Sequence, residues 1–227
     1  MIVEVLGCTS SGKSTLTNSL MQERGALPLK VYRLNKGGFV RLILDDLVRL
    51  FYFVLYFREW SSLTPLLRVC LKRKDSWWMR INLFRNFVKK QGEYRLTQHR
   101  SKNDLVLLDE GCIHAFSNLF CHYDDQPDLI EAMRFISVIP MPDVLIRVLA
   151  SEEEVVRRAT ERLDPPWPNL NNDQWRGIYR NTEVLYEEIL EKSEGIPTII
   201  VDSLDINIPK ILDKLNKIYL GEKCNAS

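Results

Sequence analysis

The chain has 227 residues and a formal net charge of +1, with 45% hydrophobic and 27% charged residues. These values indicate a soluble globular protein that can close its own core, and the chain has no repeat or low-complexity segment. The five cysteines are odd in number and widely spaced, which argues against a disulfide framework. The amino-terminal MIVEVLGC has no basic leader, so we interpret it as a first strand rather than a signal peptide and expect a cytoplasmic protein.

Five short apolar runs alternate with longer helical stretches along the chain. Such an alternation is typical of parallel βαβ units whose sheet is covered by helices on both faces, so it predicts an α/β fold with five parallel strands. The predicted strands are residues 2–6, 29–34, 104–109, 143–149 and 197–202. The predicted helices outside the long connection between strands two and three are residues 14–24, 151–163, 173–192 and 209–220.

The longest apolar stretch, Phe39 to Phe57, carries the charges Arg41, Asp45, Asp46 and Arg49. Each charge at the centre of a bilayer costs about 2.5 to 3.5 kcal/mol, so four of them argue against a membrane-spanning helix. A buried or partner-facing amphipathic helix is the better interpretation, and it leaves a homodimer open.

The connection between the second and third strands is about seventy residues long, too long for one crossover helix, so we expect two or three helices there. Part of it is strongly basic: residues 58–102 contain twelve Lys or Arg and three Asp or Glu. The net charge of this segment is +9, compared with +3 for residues 1–57 and −11 for residues 103–227. The segment is therefore a candidate anion-binding surface.

The first motif with chemical content is GCTSSGKS, which fits the phosphate-loop pattern between a predicted strand and a predicted helix. Backbone N–H groups of such a loop close around phosphates, the Lys13 ammonium reaches the β- and γ-phosphates, and the Ser14 hydroxyl is a magnesium ligand. The residues expected to hold the nucleotide are Gly7, Thr9, Ser10, Ser11, Gly12, Lys13, Ser14 and Thr15.

The second motif is DLVLLDEG, an apolar strand that ends in Asp109 and Glu110. Beside the first strand, at the carboxyl edge of a parallel sheet, such an aspartate meets the nucleotide's magnesium ion, usually through water. Glu110 then lies close enough to orient or deprotonate an acceptor. The alternative interpretation of the pair is a solvated turn.

The third motif is ASEEEVVRRATERLDPP, in which Ser151 and Glu154 have the spacing of a capping box. Arg157, Arg158 and Arg162 follow on the predicted helix, where guanidinium groups could stabilise the charge on a transferring phosphoryl group. The alternative is a surface helix with an ion pair between Glu154 and Arg158. The expected catalytic set is Lys13, Asp109, Glu110, Arg157, Arg158 and Arg162.

These three motifs, in this order, resemble the thymidylate-kinase-like branch of P-loop nucleoside and nucleotide kinases over residues 1–24, 104–111 and 143–206. The resemblance implies a P-loop NTPase three-layer sandwich, a single domain over residues 1–227 with a five-stranded parallel sheet in the order 2-3-1-4-5. It also implies a helical acceptor-binding insertion and a lid, which here would be residues 36–102 and 151–172.

The resemblance further implies ATP and Mg²⁺ as cofactors, with the metal held by Ser14 and, through water, by Asp109, and an adenine contact within residues 201–205. One departure limits it: thymidylate kinases typically carry Asp-Arg after the third strand, whereas this chain carries Asp109 and Glu110. The Asp-Glu-Gly form is similar to that of uncharacterised thymidylate-kinase-like bacterial proteins. No acceptor-site signature aligns over residues 36–102, so the acceptor is not identified.

Three interpretations of the basic, aromatic segment stay open. The first is a helix with a packed aromatic face and a solvated basic face, and the second is the lip of a pocket for an anionic acceptor. The third is a surface for nucleic acid or an anionic membrane. The residues considered for acceptor binding are Arg41, Arg80, Arg95, Arg100, Gln98 and His99. Of these, we expect Gln98 and His99 to lie at the same sheet edge as Glu110.

Two functions follow as hypotheses. The first is an ATP-dependent small-molecule kinase that transfers the γ-phosphate of Mg-ATP to a hydroxyl or phosphate of an acceptor. The second is a nucleotide-dependent binding module whose basic aromatic segment binds RNA, a membrane or a protein. The full set of donor-side residues together with Glu110 favours the kinase.

Overall fold

The computed structural model describes residues 1–23, 29–32, 47–51, 53–54, 63–73, 76–100, 104–123, 126–137, 139–163 and 170–221. The predictions that fall outside this part of the chain include Arg41, most of the predicted helix between Phe39 and Phe57, the last two residues of the second predicted strand, and the proline-rich part of the lid at 164–169.

The sheet contains five strands, and all four neighbouring pairs are parallel. The strands are β1 (Ile2–Leu6), β2 (Leu29–Tyr32), β3 (Leu105–Leu108), β4 (Val144–Leu149) and β5 (Thr198–Asp202). Their order is β2-β3-β1-β4-β5, the order that the resemblance implies. The α/β class and the parallel sheet are confirmed.

The burial of each strand follows its place in the sheet. Every residue of β1 and β3 is buried, whereas β5 at the sheet edge alternates exposed and buried residues. Inner strands of a parallel sheet are covered on both faces and are therefore apolar throughout, which makes Glu4 in the middle of β1 an exception. This exception bears on the active site.

Eight helices are described with full bounds. They are α1 (Lys13–Gln22), α2 (Leu63–Lys72), α3 (Trp77–Arg100), α4 (Cys112–Phe120), α5 (Leu129–Ile136), α6 (Glu152–Thr160), α7 (Asn172–Lys192) and α8 (Ile208–Tyr219). Residues 47–51, 53 and 54 are helical as well. In the described part of the chain, no helix is both long and apolar enough to cross a bilayer.

Two apolar clusters lie on opposite faces of the sheet. On one face, Val3 and Val5 of β1 pack with Leu16 of α1 and Leu215 of α8. On the other face, the cluster joins side chains of α3, α4, α5 and α7, among them Phe87, Phe116, Phe135 and Leu185. Helices therefore cover both faces, as in a three-layer sandwich.

The caps of α6 show where this helix begins and that the prediction of its end is wrong. The Ser151 hydroxyl accepts a hydrogen bond from the Glu154 backbone N–H at 3.3 Å, so α6 begins where its cap predicts. However, α6 ends at Thr160 rather than at residue 163, because Glu161 is its C-cap residue. Arg162 therefore follows the helix, and the prediction that it lies on the helix with Arg157 and Arg158 is wrong.

Candidate active site

The phosphate loop connects β1 to α1 at the carboxyl edge of the sheet. Gly12 is the N-cap residue of α1 and has φ 101°, a left-handed conformation in which only glycine is unstrained. The first backbone N–H groups of α1 have no partner within the helix and carry its positive dipole end. The loop therefore has the backbone geometry of an anion-binding site.

The Lys13 ammonium lies buried under the loop. Its Nζ donates hydrogen bonds to the carbonyl oxygens of Gly7 at 2.7 Å and Cys8 at 2.8 Å. Burial lowers the pKa of Lys13, and the nearby carboxylates of Glu110 and Asp109 oppose this shift. Burial raises the pKa of the Cys8 thiol to about 12, so that thiol stays protonated at neutral pH and is a packing residue.

Asp109 lies beside two hydroxyl groups of α1. Thr17 Oγ1 donates to Asp109 Oδ1 at 2.8 Å, and Ser14 Oγ lies 3.5 Å from Asp109 Oδ2. Hydroxyl and carboxylate oxygens are the hard ligands that Mg²⁺ takes in nucleotide sites, so Ser14 and Asp109 fit this ion. Thr17 was not predicted as a site residue from the sequence, although its i+3 spacing from Ser14 places it on the same helical face.

Glu110, His114 and Asn118 form one row at the start of α4. Glu110 Oε1 lies 3.8 Å from His114 Nε2, and Asn118 Nδ2 lies 3.3 Å from the same nitrogen. Burial, and then the charges of Lys13 and Lys90, hold the pKa of His114 well below its ordinary value. The imidazole is therefore neutral and a hydrogen-bonding group. Neither His114 nor Asn118 was predicted as a site residue, although Glu110, His114 and Asn118 follow one another at intervals of four residues in the sequence.

Of the three predicted arginines, the structure brings two to the site. Arg158 donates from Nε to Glu154 Oε1 at 2.6 Å and from Nη1 to the Ser11 carbonyl at 3.3 Å. Arg162 lines the same pocket as Arg158. Arg157 does not line it, because its guanidinium pairs with Glu154 at 2.8 Å and Glu161 at 2.7 Å on the exposed side of α6.

A pocket of about 600 Å³ joins these groups. One side is the phosphate loop with Arg158 and Arg162. Ser203 and Ile206, which follow β5, also line it, and Ser203 lies in the loop expected to contact adenine. The opposite side, here called the acceptor wall, consists of Asn86, Glu110, His114 and Asn118. Asn86 comes from α3, inside the segment whose role the sequence leaves open.

Three of the predicted acceptor residues of α3, Arg95, Gln98 and His99, lie at the wrong edge of the sheet. The Tyr94 hydroxyl donates to the Met141 carbonyl, just before β4 begins, so the end of α3 lies at the amino edge. Arg95 donates to Gln98 at 3.1 Å there, and His99 is exposed in the last turn. A strand advances about 3.3 Å per residue, so the four residues of β3 separate this edge from Glu110 by about 13 Å. None of the three lines the pocket.

Glu4 is the main site residue that the sequence did not reveal. Its side chain is fully buried, and its Oε1 accepts a hydrogen bond from the His114 backbone N–H at 3.0 Å. The N–H groups of Cys112 and Ile113 also contact this carboxyl, which burial nevertheless holds at a pKa of about 7. Glu4 therefore caps the amino terminus of α4, the helix that carries His114 and Asn118.

Gly111 is the residue that makes room for Glu4. A Cβ atom at Gly111 would lie 2.3 Å from Glu4 Cδ and 2.4 Å from Glu4 Oε2, far inside van der Waals contact. The absence of space for a Cβ atom thus explains why a glycine follows Asp109 and Glu110. A larger residue would displace either the buried carboxyl or the start of α4.

We expect Gly111→Ala to lower the free energy of unfolding by about 1 to 3 kcal/mol, the range for overpacking a buried site. Urea unfolding of both proteins measures this. In a Glu4→Ala background the same change should cost less, because the clashing carboxyl is gone. In a Glu4→Gln background it should cost as much as in the wild type, because the amide is equally large. An equal cost in all three backgrounds would contradict the contact.

Comparisons with known proteins give a fold but no family. No protein-family model matches the chain, and no curated protein matches it in sequence. Solved structures of a deoxyadenosine kinase from M. mycoides do match. The structure with bound dATP has a TM-score of 0.58 and 14% identity, covering 95% of this chain and 100% of that chain.

Two further structures of the same enzyme match at a TM-score of 0.54. One, with bound dCTP, is 15% identical and covers 96% of this chain and 100% of that chain. The other, with the products dCMP and a flexible dCDP bound, is 12% identical and covers 97% and 100%. At these identities the similarity supports the P-loop kinase fold alone. The thymidylate-kinase-like branch is not confirmed.

Proposed function

We propose that the protein is an ATP-dependent phosphotransferase of the nucleoside-kinase type, which transfers the γ-phosphate of Mg-ATP to a hydroxyl group of a small acceptor. One observation carries the proposal. A pocket of about 600 Å³ joins the phosphate loop to a polar acceptor wall on which Glu110 is the only charged residue in the described part of the chain. The similarity in fold to a deoxyadenosine kinase supports the same class of reaction.

The donor side of the pocket supplies positive charge. Lys13, Arg158 and Arg162 are positioned around the phosphate loop, where they would neutralise the charge on the transferring phosphoryl group. Ser14 and Asp109 would hold Mg²⁺, which when bound supplies charge neutralisation between the β- and γ-phosphates. A cationic donor side of this kind holds a nucleoside triphosphate regardless of the acceptor.

The acceptor wall favours a hydroxyl over a phosphate group. Asn86 and Asn118 are amides, and His114 is held neutral by burial. A monophosphate acceptor would bring its own negative charge against the Glu110 carboxylate, with no cation among the described residues of this wall to compensate. Amide and imidazole groups instead match the donors and acceptors of a sugar or a nucleobase edge.

Glu110 is the residue that we assign to the acceptor. Its carboxylate is half exposed at the pocket, close to Lys13. In the transfer, the acceptor O–H bond breaks as its proton passes to Glu110, and the acceptor oxygen forms a bond to the γ-phosphorus. The bond between that phosphorus and the β,γ-bridging oxygen breaks, which leaves ADP. The His114 Nε2 atom lies beside Glu110, 3.8 Å from Glu110 Oε1.

The test is an acceptor panel with Mg-ATP as donor. We expect ADP formation and a phosphorylated product with at least one nucleoside or other hydroxyl compound, and little turnover with the corresponding monophosphates. Products are identified by mass spectrometry. Turnover confined to monophosphates would overturn the hydroxyl assignment, and the absence of any product across nucleosides, nucleotides, sugars and lipid-linked sugars would overturn the kinase.

Two neighbouring arginines of α6 provide a matched pair of variants. We expect Arg158→Met to lower kcat by about a hundredfold, because its guanidinium faces the phosphate loop. Arg157→Met removes the same charge one residue away but should leave kcat within about twofold, since Arg157 contacts only Glu154 and Glu161 among the described residues. Steady-state kinetics on both proteins measure this. Equal losses in the two variants would contradict the assignment of Arg158, rather than Arg157, to the phosphate loop.

A further inference from the structure

The hairpin of α2 and α3 exposes a group of large apolar side chains outside the active site. We call it the hairpin face, and its residues are Leu67, Leu71, Trp77, Trp78 and Ile81. Trp77 is 65% exposed and Trp78 is 74% exposed. A tryptophan offers roughly 250 Å² of surface, so this pair alone exposes on the order of 300 Å². A patch of that size on a globular protein commonly marks an interaction site.

The two halves of the hairpin face are neighbours. The Arg80 guanidinium of α3 donates to the Leu71 carbonyl of α2 at 3.0 Å, which joins the end of one helix to the start of the next. Leu67 and Leu71 are four residues apart on α2, as Trp77 and Ile81 are on α3, so each pair lies on one helical side. Two basic residues lie beside the leucines. Arg68 and Lys72 are four residues apart, as Leu67 and Leu71 are, and both are also exposed.

Positive charge is in excess around the described part of the hairpin face, although Lys72 Nζ lies 3.7 Å from Glu131 Oε2 of α5. In residues 63–73 and 76–100, the only acidic residue is Glu93. Glu93 is buried and lies 3.5 Å from the equally buried Lys90, so it adds no negative charge to the surface. The exposed basic residues are Arg68, Lys72 and Arg85. A partner for this surface must therefore be anionic and must accept apolar side chains.

This combination selects among the anionic partners. Two copies of the chain would bring like charges together in a symmetric contact, so self-association through this face is disfavoured. Single-stranded nucleic acid stacks on aromatic rings, which Trp77 and Trp78 supply, but it offers no apolar environment for the exposed aliphatic side chains of Leu67, Leu71 and Ile81. Tryptophan and leucine on one side with Lys and Arg beside them are typical of helices that lie in the headgroup region of a bilayer.

We propose that the hairpin face docks on an anionic lipid bilayer, with Trp77 and Trp78 at the headgroup level and Arg68 and Lys72 against the lipid phosphates. The contact is peripheral. Asn86 of the acceptor wall lies eight residues beyond Trp78 on the same helix, about 12 Å along its axis. Docking therefore places the acceptor side of the pocket near the membrane surface.

The test is sedimentation of the full-length protein with vesicles of phosphatidylglycerol and phosphatidylcholine in equal parts, and with vesicles of phosphatidylcholine alone. We expect binding to the anionic vesicles that is at least about tenfold tighter and that weakens steeply with added salt. Arg68→Glu combined with Lys72→Glu should abolish the preference for anionic lipid. Trp77→Ala combined with Trp78→Ala should weaken binding by about tenfold or more, because both rings leave the interface.

Leu163→Ala is the matched control, since this residue is fully exposed but lies after α6, and it should bind vesicles like the wild type. Circular dichroism checks that each variant is folded. Four results would overturn the proposal: no vesicle binding, equal binding to both lipids, binding that the hairpin variants leave unchanged, or binding to a single-stranded RNA homopolymer in place of vesicles. The measurement needs no acceptor and no turnover, so its outcome is independent of the proposed kinase activity.

Discussion

Replacing Lys13 with Met should reduce phosphoryl transfer by about a thousandfold or more, because the only buried ammonium of the phosphate loop is lost. In the structure its Nζ is bound by the Gly7 and Cys8 carbonyls, and the ammonium is already desolvated. A charge fixed in a water-excluded site stabilises developing negative charge more strongly than one in solvent. Product formation with a responsive acceptor measures the loss.

Control measurements on the Lys13→Met variant must distinguish loss of activity from loss of folded structure. Lys13→Met keeps the length of the side chain, so circular dichroism and thermal unfolding should show a folded protein. Lys210→Met on α8 removes a surface lysine and should leave turnover within about twofold of the wild type. A Lys13→Met protein that is folded and retains more than a tenth of wild-type turnover would contradict the role of the loop.

The Glu4→Gln variant should change the pH dependence of stability by about 3 kcal/mol between pH 4.5 and 7. Burial raises the pKa of Glu4 from 4.5 to about 7 in the folded protein, partly opposed by the backbone N–H groups of α4 and the charge of Lys90. Between these two values the folded state binds more protons than the unfolded state, so the free energy of unfolding decreases as the pH rises. Each pKa unit corresponds to about 1.36 kcal/mol.

The pH dependence that Glu4 gives to the free energy of unfolding therefore has the opposite sign to that given by a salt-bridged carboxyl. The wild type has the full contribution below pH 4.5 and loses it as the pH rises through about 7. Glutamine can still accept the hydrogen bond from His114 but does not titrate. Urea unfolding of both proteins at pH 4.5, 6 and 8 measures the difference, since other ionisable groups contribute equally to both. A constant difference between the two proteins across this range would contradict the raised pKa.

The fold was largely predictable because its signals are local. The strands β1, β3, β4 and β5 are short apolar runs, and the phosphate loop combines a glycine N-cap with a helix start in seven residues. The cap at Ser151 also follows from spacing alone. The end of α6 was not predictable in the same way, because the residues after Thr160 continue a helical composition.

The acceptor side was predicted poorly because chain proximity was taken for spatial proximity. Gln98 and His99 precede β3 and Glu110 follows it, so the strand itself separates them. The residues that do face the pocket, Asn86 and Asn118, lie 32 positions apart on two different helices. Only the packing of α3 against α4 brings them together.

The sequence alone predicted the donor half of the proposed site: a loop with the phosphate-binding pattern, a lysine within it, and an aspartate at the end of a neighbouring strand. Those residues are held by short-range rules of turn, helix and strand, so spacing reveals them. The tertiary structure decided the rest. It turned Arg157 away from the pocket, made His114 a neutral wall residue and buried Glu4 against Gly111, because these outcomes depend on which helices pack across the sheet and on what they desolvate.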